Sequence, residues 1–296
     1  DPGKFFAYDK SLYSNPAVAL SYEPGSTFKV LVMSAALNEE VVKPETRCDK
    51  CDGPRVISDY TIKTWNEKYF PDSTMTEVIQ HSDNIGMVFV GEKLGVEKMY
   101  SYLQKFGLGQ STGIDLEDEA SPKLRPKNEW KLIDLATASF GQGVALTPIQ
   151  MVRAVAAVAN GGKLMKPYLV KQVLSEGEKT EIQPKIEGEV LRPVTASVMT
   201  EMMVNAVDNG ESKWAKPKGY RIAGKTGTAQ IPVAGHYDQE KTIASFVGFA
   251  PADNPQFVML VLLREPTSSP WGAETAAPLW FDIAKEIFTY YGIRPG

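Results

Sequence analysis

Histidine and cysteine are almost missing from this chain of 296 residues, which holds two of each. A tetrahedral zinc site would need two ligands beyond Cys48 and Cys51, and His81 and His236 stand far apart in sequence. No βαβ pattern surrounds Cys48-Asp49-Lys50-Cys51, so a redox role lacks its usual setting. The pair reads as a local loop feature, either disulfide-bonded or free. Charge of one sign is scarce too: the formal net charge is −4, with no long basic run. This balance argues against nucleic acid as the main partner. Apolar strings such as Phe257 to Leu263 are far too short to span a bilayer. No internal repeat, low-complexity segment or secretory signal is visible, and the abrupt opening Asp1-Pro2-Gly3 reads as that of a trimmed or incomplete chain. What remains is ordinary globular composition, 43% apolar, with length for one large domain or two lobes.

One stretch organises the rest. In Ser21-Tyr22-Glu23-Pro24-Gly25-Ser26-Thr27-Phe28-Lys29-Val30, a turn signal delivers a serine to the start of an apolar helical run through Leu37. Unpaired N–H groups and the positive dipole end at a helix start favour a developing anion beside Ser26. Lys29 lies three residues on, over the same face, so its amine is a candidate base for the Ser26 hydroxyl. Taken alone, the serine is as well explained as a helix cap.

Around it the pattern predicts an α+β fold. Helices are expected near Thr76, from Met87 to Gly95, and over Val96–Phe106, Asp134–Phe140 and Pro148–Ala159. The last has Thr147 as cap and Asn160-Gly161-Gly162 as stop. A surface hairpin is expected from Tyr168–Leu174 and Glu181–Ile186, then a helix over Val194–Asp208. Strands follow over Tyr220–Gln230, Ile243–Ala250 and Phe257–Arg264, and a closing helix over Ala276–Tyr291.

Three short motifs carry the chemistry: Ser26-x-x-Lys29, Ser82-Asp83-Asn84 and Lys225-Thr226-Gly227. Each is weak by itself, and Ser82-Asp83-Asn84 alone reads as a cap or turn. Together, in this order, they form the set known from penicillin-binding proteins and class A β-lactamases. Serine acyl transfer needs a proton acceptor, a proton donor to the leaving group and oxyanion donors. Lys29 serves as base only if neutral, which burial and a second cation, Lys225, promote. Ser82 can relay a proton, Asn84 can hold Lys29 or a substrate amide, and Lys225 can orient a substrate carboxylate. Gly227 lets a substrate lie against the strand, with oxyanion donors from the N–H groups of Ser26 and Thr228. The stretch Gly219 to Thr226 also matches the phosphate-loop pattern. That loop needs a buried strand before it and a helix after it, and neither Ser212–Lys218 nor Ile231–Gly235 suits.

Beyond these motifs the sequence resembles the transpeptidase domain of class B penicillin-binding proteins, of the division-type penicillin-binding protein 2/3 branch. The resemblance rests on Tyr22 to Lys29, Phe106-Gly107-Leu108-Gly109, Thr112 to Leu116, Ser139 to Gly143 with Thr147-Pro148, Ala223 to Gln230, and Ser245 to Pro251. It implies a serine acyltransferase fold in which an antiparallel sheet is flanked by helices, with a helical lobe over roughly 40–162 and a sheet lobe over 1–39 and 163–296. It implies peptidoglycan D,D-transpeptidation: Ser26 attacks a terminal D-Ala-D-Ala, releases D-alanine, and passes the acyl group to a neighbouring stem-peptide amine. The expected catalytic residues are Ser26, Lys29, Ser82, Asn84 and Lys225, with Thr226, Gly227 and Thr228 binding substrate, and neither cofactor nor metal. β-Lactams are expected to acylate the same serine, other cell-wall and division proteins to be partners, and the setting to be the outer face of the bacterial cytoplasmic membrane. Family members carry an upstream membrane helix, a pedestal region and the first sheet strands, none of which is seen in this sequence. Trp271-Gly272 stands where the family often has a Tyr-Gly-Gly loop.

The rivals on this fold are a β-lactamase, a D,D-carboxypeptidase and a non-catalytic β-lactam sensor. A class A β-lactamase needs a carboxylate to activate the deacylating water. Glu117, Asp118, Glu119 and Glu129 lie in the right region, but Thr112 to Glu119 follows the transpeptidase pattern. Glu129 to Ile133 also lacks the expected Asn, so these acids read as solvated charges around a helix start.

Overall fold

The Glu-Pro-Gly turn hands the chain to a 3-10 turn over Gly25–Phe28, which runs directly into a helix over Lys29–Asn38. The computed structural model describes residues 2–233 and 236–296. A short helix, α1 (Pro16–Ala19), is capped by the Asn15 side chain and precedes that turn. The helix at Lys29–Asn38, α2, has no polar stripe between Val30 and Leu37, so it must be covered all round. It is: every residue from Lys29 to Leu37 is buried.

A small hairpin, β1 (Arg55–Ile57) and β2 (Tyr60–Ile62), and α3 (Met75–Gln80) follow. Thr74 caps α3 reciprocally with Glu77. Asp83 caps the long helix α4 (Asn84–Lys105), whose regular geometry breaks at Gly95 with φ 78° and ψ 160°. The two helices read from the sequence on either side of Gly95 are thus two segments joined by a glycine only. Helix α5 covers Leu132–Ala138. It starts earlier than the apolar pattern suggests because the Asp134 carboxylate accepts from the Lys131 N–H. Helix α6 (Pro148–Ala159) has the expected bounds and the Thr147 cap.

Strand β3 (Lys163–Met165) leads to a hairpin of β4 (Gln172–Ser175) and β5 (Glu178–Glu181), then to β6 (Ile186–Glu189), which pairs back with β3. Helix α7 spans Pro193–Asn209. The main sheet is antiparallel, in the order β7 (Ala223–Val233), β8 (His236–Ala250), β9 (Phe257–Arg264). Residues Ile231–Val233 therefore extend β7, as a stretch unable to start a helix should, while Ala234, Gly235 and Asp1 lie outside the described residues. Helix α8 (Ala276–Tyr291) ends at left-handed Gly292 and packs on β8 and β9.

Two apolar clusters result. The larger surrounds α2 and joins it to α4, α6 and α7. The smaller sits between the sheet and α8, built on Trp280, Phe281, Phe246 and Phe288. Cys48 and Cys51 are disulfide-bonded and buried in the larger one. In that sheet β7 has a partner strand on one side only, and the 3-10 turn carrying Ser26 packs against it. No helix among the described residues is long and apolar enough to cross a membrane.

Candidate active site

Ser26 owes its position to glycines. Gly25 has φ +55°, and its N–H donates to the Gly141 carbonyl over 3.1 Å. Gly141, at φ +83°, lies so close that a Cβ there would meet the Gly25 oxygen at 2.2 Å. Tyr22 and Leu146 exchange two backbone bonds of 3.0 Å, so the segment after α5 braces both sides of the turn. Thr27 is buried, and its hydroxyl donates to the Pro24 carbonyl over 2.9 Å. Ser26 is half-buried, and its side chain caps nothing at the start of α2. The capping explanation of this serine therefore fails.

One turn on, Lys29 is fully buried. Its Nζ donates to the Ser82 carbonyl at 2.6 Å and to Asn84 Oδ1 at 2.8 Å, and lies 3.2 Å from Ser82 Oγ. A neutral amine has two N–H groups and a lone pair. The two short bonds use the N–H groups, and the longer contact is to a hydroxyl that can donate to the lone pair. Burial, and next the positive charge of Lys225, hold this amine well below the usual lysine range, against the opposing pull of Asp83 and Glu211. Ser82 adopts φ +54°, unusual for serine, at the corner between α3 and α4. Asp83 supplies the cap of α4, so the cap reading of this tripeptide is correct for its middle residue, while Ser82 and Asn84 meet Lys29. Asn84 also donates from Nδ2 to the Lys63 carbonyl at 3.1 Å.

The third motif lies on β7. Lys225 is 3% exposed and its amine donates to the carbonyl of Thr226 at 3.1 Å. Burial lowers it to about 8, with Glu211 pulling the other way. Gly227 pairs with Ser245, and a Cβ there would meet Ser245 Oγ at 2.5 Å and Thr27 Cγ2 at 2.8 Å. Only a bare backbone lets the Ser26 turn and β7 come this close. Thr228 Oγ1 accepts from the Gly272 N–H at 3.0 Å, which ties the Trp271-Gly272 loop to the strand. The phosphate-loop pattern at Gly219 to Thr226 fails in space as in sequence, since Gly224 to Thr226 are mid-strand and no helix follows.

A cleft of about 590 Å³ adjoins these parts. Of the predicted site residues Asn84 and Thr228 line it, whereas Ser26, Lys29, Ser82, Lys225, Thr226 and Gly227 are not in its lining. Asn84, Thr228, Gln230 and Gln142 supply polar groups, and Tyr60, Trp65, Phe140 and Trp271 supply apolar walls. Trp65 and Trp271 meet across it with ring centroids 4.9 Å apart. Trp271 belongs to the loop that the resemblance singles out, whereas the only sequence signal for Trp65 is the scarcity of tryptophan. No carboxylate lines this cleft among the described residues. Glu119 is instead engaged by the N–H groups of Thr112 and Gly113 at 2.6 and 3.1 Å, and Glu117, Asp118 and Glu129 are absent from the lining. A larger groove of about 660 Å³, near Arg153 and Lys166, contains no residue of the three motifs. No cluster of three or more potential metal ligands occurs among the described residues.

Comparison with known proteins gives a consistent picture. The family profile described as "Penicillin binding protein transpeptidase domain" matches residues 2–289. The chain is 37% identical over its whole length to stage V sporulation protein D of Bacillus subtilis, of which it covers 46%. It is 30% identical, again over its whole length, to peptidoglycan D,D-transpeptidase FtsI of Escherichia coli, covering 48% of that protein. Among solved structures, penicillin binding protein 3 of Mycobacterium tuberculosis complexed with aztreonam superposes with a TM-score of 0.90 at 31% identity, over all of this chain and 68% of that one. The chain thus spans about half the length of the curated relatives it matches.

Proposed function

The chain belongs to the penicillin-binding protein transpeptidase family, and from that premise we propose that it is a serine D,D-transpeptidase acting on peptidoglycan stem peptides. The single observation that carries the mechanism is the fully buried Lys29 amine, gripped by Ser82 and Asn84 and opposed by the charge of Lys225. A neutral amine one turn from Ser26 is the base that a serine nucleophile requires.

The roles follow in order. Ser26 Oγ attacks the carbonyl of the penultimate D-alanine as Lys29 takes its proton. The negative oxygen of the tetrahedral intermediate is stabilised by the N–H groups of Ser26 and Thr228. Ser82 passes a proton, replenished from Lys29, to the nitrogen of the departing D-alanine, and the C–N bond breaks to leave an ester on Ser26. An amine of a second stem peptide then attacks that ester, its proton returns through Lys29, and Ser26 is released with a new cross-link. Lys225, with Thr226 and Thr228, holds the terminal carboxylate of the donor, and bare Gly227 lets the peptide lie along β7. A β-lactam closes the first half of this cycle and stops there.

A class A hydrolase needs a carboxylate that activates water on the acyl-enzyme. The Glu119 carboxylate, one of the candidates in the sequence, is instead engaged by the N–H groups of Thr112 and Gly113. The helical lobe over roughly 40–162 and the sheet lobe over 1–39 and 163–296 would meet at this cleft. The setting is the outer face of the bacterial cytoplasmic membrane, in company with other wall-synthesis and division proteins. The test is incubation with a D-Ala-D-Ala stem peptide and an acceptor amine. Release of D-alanine with a matching amount of cross-linked product is expected. Release with hydrolysed product alone would make the protein a carboxypeptidase, and no release would leave a sensor.

A further inference from the structure

Two amines, Lys29 and Lys225, are buried in this site, and the charge of Lys225 acts on Lys29. The acids that act on them are few. Glu211, in the exposed segment after α7, pulls on both, and Asp83 pulls on Lys29. Asp83 is the unusual one. It is 2% exposed and stands between Ser82 and Asn84, the two residues that grip Lys29. Its Oδ1 accepts from the Ile85 N–H at 2.8 Å, capping α4. Its Oδ2 is buried with no partner at hydrogen-bond distance, the Gly86 N–H pulling on the carboxyl less than the Ile85 N–H or Lys29 does.

The cap needs one oxygen. Serine or threonine would provide it without stranding a second polar atom in the interior. A buried carboxylate oxygen with no partner is costly unless a counter-charge lies near. The cation on offer is Lys29, with His81 at the end of α3 a weaker one.

We propose that Asp83 is a positioning residue for Lys29: a buried counter-charge, fixed by the start of α4 between the two residues holding the amine, that sets how tightly Lys29 keeps its proton. It rests on the reading of Lys29 as the base. Burial drives the Asp83 carboxyl up, and the Ile85 N–H and then Lys29 pull it down. The two groups are therefore coupled: an ionised Asp83 raises the proton affinity of Lys29, against the burial and the Lys225 charge that keep the resting amine neutral. The proton can return to Lys29 from Ser26 because this counter-charge makes room for it.

The test is the rate of acylation by a penicillin as a function of pH, in Asp83→Asn and the parent protein. Asparagine keeps the cap and the volume but removes the charge, so Lys29 should be neutral at lower pH. The acid limb of the profile should move down by about one pH unit. An even loss of rate at every pH, or an unchanged profile, would reduce Asp83 to a cap and overturn the proposal. Asp83→Ser retains a capping oxygen and gives the same readout if the asparagine variant fails to fold. Lys29→Met separates the two readings. Acylation at the parental rate in that variant means that Lys29 is not the base, whereas an inactive Lys29→Met beside an unshifted Asp83→Asn condemns only the role given to Asp83.

Discussion

The amine of Lys29 donates to the backbone carbonyl of Ser82 over 2.6 Å, a bond between residues 53 positions apart. It fastens the first turn of α2 to the corner between α3 and α4, where Ser82 holds a left-handed backbone. Such a conformation costs on the order of 1–3 kcal/mol for a non-glycine residue and persists only where its surroundings enforce it. Here the enforcing contact is also the proposed base.

Replacing Lys29 with methionine keeps the length and apolar stem of the side chain but removes the proton acceptor. Acylation of Ser26 by a penicillin should fall by about 10²–10⁴-fold, the usual worth of a positioned acid–base group. A thermal melt shows whether the variant is folded. A folded variant with the parental rate would remove Lys29 from the mechanism.

Lys225 gives a pH dependence with a definite sign. Burial lowers it to about 8, so it is a cation below that pH and loses its charge above it. KM for a donor bearing a free carboxylate should therefore rise as pH passes about 8. Lys225→Arg, which stays charged, should abolish that rise. Linkage acts the other way on stability. Between about 8 and the ordinary lysine value of 10.5 the unfolded chain binds the extra proton, so this group's contribution to stability increases with pH. A KM flat across this range would contradict the carboxylate-holding role.

Gly141→Ala should damage the site without touching a reactive group. The new methyl would sit 2.2 Å from the Gly25 oxygen, at a backbone φ of +83°. A loss of stability of about 2 kcal/mol or more is expected, from strain and displacement of the Ser26 turn. Denaturant unfolding measures it, and an unchanged midpoint would show that the turn yields freely.

Trp65 and Trp271 should be energetically coupled. Their rings meet across the cleft at 4.9 Å, and aromatic pairs contribute about 0.5–1.5 kcal/mol beyond burial. A double-mutant cycle of Trp65→Ala and Trp271→Ala, read on the acylation rate constant and on stability, tests this. Strict additivity in both readouts would mean that the contact holds nothing.

Much of this was legible in the sequence, for local reasons. Helix α6 follows from Thr147 and Pro148 at its start, and α8 has the bounds read from the sequence. The buried face of α8, however, runs through Trp280, Phe281, Ala284 and Phe288 and not through the spacing of Trp280, Ile283, Ile287 and Tyr291, of which Ile283 and Tyr291 are exposed. The three motifs needed only their residue types and order. The strand ends were less legible. Strand β7 begins at Ala223 and not at Tyr220, because Tyr220 stacks on Phe288 at 4.1 Å and Arg221 O accepts from the Ala252 N–H. Strand β8 reaches back to His236, and the pairing of His236 and Tyr237 with Val233 and Pro232, beyond a register shift, is announced by no apolar alternation. Spacing cannot tell an oxidised pair from a free one, so the disulfide of Cys48 and Cys51 is legible only in the structure. Contacts that join distant segments were invisible: Gly25 with Gly141, Trp65 with Trp271, and the stranded oxygen of Asp83. They arise from packing, and no spacing encodes them.

The most direct measurement is intact-mass spectrometry of the protein with excess penicillin, followed over hours and mapped to a peptide, beside Ser26→Ala. The account predicts one persistent adduct of the whole drug on the peptide bearing Ser26, and none in the variant. An adduct on another residue, or one that survives in Ser26→Ala, would contradict it.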